Sequence, residues 1–156
     1  MPRNRPGALR ARRPLPRISA DTPPKPIDGL SLRTCRAVHT VEALPGGFPV
    51  FPGCAELALR RYREFLSAPG GRPLYPRPAP CQCRICAMDD VTHARDVLEA
   101  VMVRLPVRPR AELRRLAAPL DTAFLRRTLP DPRARSGSSW PAEPWWHHRI
   151  GQGDRG

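Results

Sequence analysis

The chain has 156 residues, of which 22 are proline and 11 are glycine, so it has room for one small domain rather than several. Its formal net charge is +13, which comes almost entirely from arginine because Lys25 is the only lysine. No run approaches the roughly 18 to 20 consecutive apolar residues that span a bilayer, and the basic start lacks the apolar region of a secretory signal. These features predict a cytoplasmic protein outside both the membrane and the secretory classes.

The high arginine content has two interpretations. A chain this basic is attracted over long range to nucleic acid or to an acidic protein partner. The near-exclusion of lysine, together with abundant Ala, Pro and Gly, is also typical of proteins encoded by GC-rich genomes, whatever their function. Composition alone leaves both interpretations open.

Residues 1–29 are predicted to form a disordered basic tail, because a Pro/Arg-rich segment buries too little apolar surface to offset the entropy lost on ordering. Between residues 30 and 41 apolar positions become more regular, and prolines and glycines between 45 and 53 then mark turns. This region is predicted to contain a short strand or an extended arm. If it is helical instead, Cys35 and His39 share one face.

The next segment is a predicted helix over residues 54–67. Its apolar residues share one helical face, and charged side chains lie outside that face. The apolar face comprises Cys54, Ala58, Tyr62, Phe65 and Leu66. The sequence Pro69-Gly70-Gly71 ends the helix. Four prolines within residues 72–80 then predict an extended connector.

The most regular part of the chain predicts a helix that begins at Asp89 or Asp90, since either carboxylate can accept hydrogen bonds from the free amides of a first turn. Its apolar stripe comprises Ala94, Val97, Leu98, Val101, Met102 and Leu105. Arg95 and Glu99 are predicted to form an i,i+4 ion pair on the far side of the helix.

A second helix follows after a short connection. Pro106 ends the first helix and Pro109 suits the first turn of the next, so we predict an antiparallel hairpin. The second arm keeps its period through Pro119, which predicts either a kink or a new helix start. The predicted fold class is mainly α: a small helical domain over residues 30–130, built around this hairpin, with a Cys-rich knuckle and disordered Pro/Arg-rich termini. The broad stripe also makes a homodimer an expectation to test.

Cys81-x-Cys83-x2-Cys86 is the one chemically specific motif. The x2 spacing lets the thiolates of Cys83 and Cys86 face one ion, and Cys81 can fold back as a third ligand of a structural zinc. His93, in the first turns of the following helix, is the predicted fourth ligand. The alternative fourth donors are Cys54, Cys35 and His39. Because a second Cys-x2-Cys pair is lacking, unligated packing cysteines are the competing interpretation.

No sequence motif indicates an enzyme. The chain has no phosphate-binding glycine loop, no GxSxG elbow and no HExxH sequence. Closely spaced thiols are more often metal ligands than nucleophiles. We therefore expect a small non-enzymatic accessory or regulatory protein.

Two surfaces are candidates for contact with partners. Arginines on the outer face of the last helix can follow the phosphates of a nucleic acid; they are Arg110, Arg114, Arg115, Arg126 and Arg127. Residues 131–156 are a predicted flexible tail that contains Trp145-Trp146-His147-His148. We expect its tryptophans to fold back over the small core. If they bind a partner instead, the chain is a protein-interaction module that works without metal, through the hairpin and this tail.

Overall fold

The computed structural model describes residues 25–45, 47–134 and 143–153. Within these ranges the protein is mainly helical and has no strand, which confirms the predicted fold class. The helices are α1 (Leu32–Glu42), α2 (Cys54–Leu66), α3 (Val91–Arg104) and α4 (Val107–Arg127). Two short 3-10 helices, Cys86–Asp89 and Trp145–His147, flank the α3–α4 pair in sequence. None of the described helices is long and apolar enough to cross a membrane.

The prediction of a short strand or extended arm in residues 30–53 is wrong, because residues 32–42 form α1. The Ser31 hydroxyl caps this helix by accepting a hydrogen bond from the amide of Thr34. β-branched residues such as Val38 favour extended backbone only weakly, and burial along one helical face outweighs that preference. The buried face comprises Thr34, Cys35, Val38, Val41 and Glu42.

Helix α2 agrees with the predicted helix over residues 54–67 and provides one wall of the core. Its buried residues are Cys54, Ala55, Leu57, Ala58, Leu59 and Tyr62. The most extensive packing in the domain joins α2 to α3, while α4 packs against α1 and α2 as well as α3. The short connection between α3 and α4 is confirmed, but the core is centred on the α2–α3 pair rather than on the hairpin.

Helix α3 begins where a carboxylate caps it, as predicted. Asp90 is the capping residue, and its Oδ1 accepts a hydrogen bond of 2.9 Å from the amide of Thr92. Every residue of the predicted apolar stripe is at most 1% exposed. The stripe is therefore covered within the chain, and the homodimer stays a prediction. Helix α4 continues through Pro119 as one helix.

Both predicted tails contribute residues to the folded domain. Ile27 is 2% exposed, and its amide donates to the sulfur of Cys35 at 3.2 Å. From the other side, Trp146 joins the core, and the amide of Gln152 donates to the carbonyl of Pro76 at 2.8 Å. The remaining parts of the tails, residues 1–24, 135–142 and 154–156, lie outside the described residues.

Candidate metal centre

The connector after α2 brings three cysteine sulfurs to one place. The Sγ atoms of Cys81, Cys83 and Cys86 all lie within 4.8 Å of one another, and those of Cys81 and Cys83 are 3.4 Å apart. Two sulfurs bound to one tetrahedral zinc ion, each at about 2.3 Å, are about 3.8 Å apart. The three thiols are therefore close to the spacing that a single ion requires.

Local hydrogen bonds hold the cysteines at the start of α3. The amide of Ala87 donates to the carbonyl of Cys83 at 2.9 Å, which closes the turn between them. The amide of Cys86 donates to the Cys83 sulfur at 3.3 Å. The 3-10 helix Cys86–Asp89 then leads into the cap of α3, anchored by Met88, which is fully buried. The motif thus forms a knuckle fixed on one side to the most regular helix of the chain.

Hydrogen bonds within the cluster shift the pKa values of two of its thiols in opposite directions. Hydrogen bonds donated to its sulfur, first among them that of the Cys86 amide, lower the pKa of Cys83 to about 7. Hydrogen bonds with the sulfurs of Cys81 and Cys83 raise the pKa of Cys86 to about 12. Cys81 and Cys83 are exposed and Cys86 is half-buried, so ions in solution can reach all three. A bound cation would replace the protons of these thiols, since thiolates are the ligating form.

The structure places His93, the predicted fourth ligand, on the wall of an adjoining cavity. This cavity has a volume of about 280 Å³ and is also lined by Cys81 and Asp90. The His93 ring stacks on Phe48, with ring centroids 5.3 Å apart and an interplanar angle of 23°. In the described part of the chain, the group of mutually close donor atoms contains the three thiols and does not include His93. Ligation by His93 stays a prediction.

The alternative fourth donors lie elsewhere, two of them beside the buried carboxylate of Glu42. The Cys54 thiol donates to Glu42 Oε1 at 3.6 Å, and burial raises the pKa of Cys54 to about 12. His39 Nδ1 lies 3.1 Å from Glu42 Oε2. Cys35 is fully buried beside Ile27. None of these donors belongs to the thiol group of the described chain.

The donor set indicates what the cluster can bind. Thiolates are soft ligands that select zinc, copper(I) or iron–sulfur clusters over hard cations such as magnesium. No protein family, curated protein or solved structure matches this chain. The case for its function therefore rests on its own side chains.

Sequence reasoning missed the role of Glu42, whose side chain is 1% exposed. Its carboxylate accepts hydrogen bonds from the amides of Gly53 and Ala55, at 3.0 and 2.8 Å, and so caps α2. Gly53, the residue at the usual capping position, has no side chain to do this. The sequence held one signal for this role. A glycine at the capping position of α2 cannot cap the helix with its own side chain, so a side chain from another part of the chain can do so.

The prediction that Arg95 lies on the far side of α3 is wrong, although its ion pair with Glu99 is confirmed at 3.0 Å. The Arg95 side chain is only 8% exposed, and its Nε and Nη2 donate to the two oxygens of Asp121 at 3.0 and 3.2 Å. The Tyr62 hydroxyl donates to the same carboxylate at 2.9 Å. The Arg95 guanidinium also lies 4.2 Å from the ring centroid of Trp146. These groups form a buried polar cluster that links α2, α3 and α4 to the Trp-containing segment.

The Trp-containing segment folds back onto α3, as we expected from the small size of the core. The indole Nε1 of Trp146 donates to Asp96 Oδ1 at 2.8 Å. His147 Nε2 lies 2.8 Å from the same oxygen, and this hydrogen bond raises the pKa of His147. Trp146 is 7% exposed, so its ring is part of the core.

The five arginines predicted to contact nucleic acid divide into two groups. Arg114, Arg115 and Arg126 are exposed. Arg110 and Arg127 are half-buried and donate to main-chain carbonyls, where they cap the C-terminal ends of α3 and α2. The acceptor carbonyls are those of Val103 and Leu105 for Arg110, and of Leu66, Ala68 and Gly70 for Arg127.

Proposed function

We propose that this protein is a small non-enzymatic accessory protein in which Cys81, Cys83 and Cys86 bind one structural zinc ion. The observation that supports this most directly is that three sulfurs from a stretch of six residues lie within 4.8 Å of one another. The Cys86 amide bonded to the Cys83 sulfur adds to it, because such bonds orient a thiolate and stabilise its charge.

The position of the cluster explains what an ion would do there. It lies between the proline-rich connector and the cap of α3, and residues 81–85 are all exposed. So little burial supplies little hydrophobic stabilisation of this turn. A zinc ion bound by all three cysteines would join the connector to α3 and add its binding free energy to folding.

The number of thiols favours zinc over an iron–sulfur cluster. An iron–sulfur cluster is held by four cysteines, whereas the described chain brings only three together. Zinc takes thiolate ligands at tetrahedral angles and undergoes no redox change, which suits a structural role.

Metal analysis of the protein, purified without a histidine tag, tests this proposal. We expect about one equivalent of zinc per chain, and its loss from the Cys83→Ser/Cys86→Ser double variant. Cys54→Ser is the matched control: it removes a buried thiol that bonds Glu42, and a serine hydroxyl can make the same bond, so zinc should be retained.

Limited proteolysis adds a structural measurement. Chelation of the metal should expose residues 72–86 to cleavage in the wild-type protein while α2 and α3 stay protected. A metal-free protein whose connector resists proteolysis as well as the untreated protein does would contradict the proposal.

A second proposed activity is contact with nucleic acid through the exposed face of α4. The two acidic residues of this helix both make contacts within the chain: Glu112 accepts hydrogen bonds from Ser31 and Thr34, and Asp121 binds Arg95. Exposed arginines on one helical face can track a phosphate backbone.

The competing proposal, a module that binds proteins through the hairpin and the Trp-rich segment, has less support. The apolar stripe of α3 is at most 1% exposed. Trp146 is committed to Asp96 and Arg95 of the same chain. These contacts occupy the α3 stripe and Trp146, so a partner polypeptide would have to use the apolar side chains that stay exposed, such as Val107 and Trp145.

Binding to generic double-stranded DNA, measured over a range of salt concentrations, tests the arginine face. We expect the triple variant Arg114→Gln/Arg115→Gln/Arg126→Gln to bind more weakly, and its log–log salt slope to be smaller by about 0.9 for each phosphate that the variant no longer neutralises. The control triple Arg60→Gln/Arg72→Gln/Arg133→Gln removes the same charge from exposed positions outside α4. Equally weakened binding in both triples, or no binding by the wild type at physiological salt, would refute a specific role for α4.

A further inference from the structure

The thiol cluster borders on a cavity, and the two share Cys81. The cavity has a volume of about 280 Å³. Its lining residues are Phe48, Pro78, Ala79, Cys81, Gln82, Ala87, Asp90 and His93. An atom bound to the ion beside Cys81 would therefore be next to a space large enough for a small molecule.

The described residues bring together fewer donors than zinc ordinarily takes. Zinc takes four ligands, and where a protein supplies three of them, water or an exogenous ligand takes the fourth position. In the described ranges three thiols form the mutually close group. We infer that the zinc ion proposed above keeps one coordination position for a small exogenous thiol, which binds as its thiolate with its carbon chain in the cavity.

The two protein groups that could compete for this position are engaged in other contacts. The Asp90 carboxylate caps α3, since its Oδ1 accepts hydrogen bonds from the amide and the hydroxyl of Thr92 at 2.9 and 2.6 Å. The His93 ring is stacked on Phe48. Neither group belongs to the mutually close donor set of the described residues.

The chemistry of the site selects a thiol among exogenous ligands. A zinc ion bound by thiolates is a soft centre that favours a further sulfur donor. A metal-bound thiol loses its proton readily, so the ligand binds as an anion at neutral pH. The cavity walls contributed by Phe48, Ala79 and Ala87 are apolar and suit the carbon chain of such a ligand.

Cobalt(II) is a spectroscopic probe of this position, because it replaces zinc in tetrahedral sites and absorbs according to its ligands. The full-length protein, kept reduced with a phosphine rather than a thiol, would be loaded with cobalt and titrated with 2-mercaptoethanol. We expect the sulfur-to-cobalt absorption to rise by about one third as four sulfur ligands replace three. Ethylene glycol, the oxygen analogue, should leave the spectrum unchanged.

Two variants separate the exogenous thiol from His93. His93→Ala should leave the initial cobalt spectrum unchanged, and its spectrum should still respond to thiol. Ala79→Phe, which fills part of the cavity, should bind cobalt normally and respond only at higher thiol concentrations.

A wild-type spectrum that does not respond to thiol would overturn the inference, and a His93→Ala spectrum altered from the start would then identify the histidine as the fourth ligand. A fall in absorption, which means that the thiol removes the metal, would overturn it equally. A protein that binds no cobalt would instead refute the zinc site itself.

Discussion

Replacing Asp121 with alanine is expected to lower the free energy of unfolding by about 3 kcal/mol, because it removes the bidentate partner of a buried cation. The Arg95 side chain is 8% exposed, and both of its bonds to Asp121 would be removed. The Tyr62 hydroxyl would lose its acceptor as well. Urea unfolding followed by far-UV circular dichroism measures the change.

The matched control for this variant lies on the same arginine. Glu99 also pairs with Arg95 at 3.0 Å, but its side chain is 34% exposed. Glu99→Ala should therefore cost about 0.5 kcal/mol or less, as exposed i,i+4 pairs do. Similar destabilisation by the two variants would show that the Asp121 bonds add nothing beyond an ordinary surface ion pair.

Replacing Glu42 with alanine is expected to cost about 3 kcal/mol, because several buried donors lose their acceptor at once. The amides of Gly53 and Ala55 and the thiol of Cys54 all donate to this carboxylate. Amide hydrogen exchange should become faster in the first turn of α2 before it does so in α3. Urea unfolding gives the global change in stability.

Glu56→Ala is the control for Glu42. Glu56 is an exposed carboxylate in the first turn of the same helix, where it interacts with the helix dipole alone. Its removal should cost about 0.3 to 1 kcal/mol. If both variants were destabilised by the same small amount, the buried cap would contribute no more to the free energy of unfolding than a surface charge does.

The parts of the fold that the sequence predicted are those set by neighbours in the chain. The stripe and the Asp90 cap of α3 depend on residues within a few turns of one another, and both were found as predicted. The three thiols also converge because their spacing is short. Sequence patterns predicted an element correctly where its stabilising contacts join residues close together in the chain.

The misassigned elements depend on distant partners. Arg95 is buried because Asp121, 26 positions later, and Trp146, 51 positions later, surround its guanidinium. Glu42 acts on a helix that starts 12 positions after it. Neither arrangement produces a periodic pattern in the sequence. A charged residue is therefore predicted to lie on the surface until its buried partner is known.

The roles of Arg110 and Arg127 could not be predicted from the sequence for the same reason. A sequence pattern places Arg110 and Arg127 on α4 but does not reveal that carbonyls at the ends of α3 and α2 lie within their reach. Long guanidinium side chains cap helices that are remote in sequence, and only the packing of those helices selects which arginines do so.

Trp146 has a consequence for how the chain is made. It is the last buried core residue of the described sequence to leave the ribosome, and the face of Arg95 that it covers stays bare until then. The nascent chain can form its helices early, but its core is completed only after residue 146 emerges. A chain that stalls before that point would present an unfinished core to chaperones and proteases.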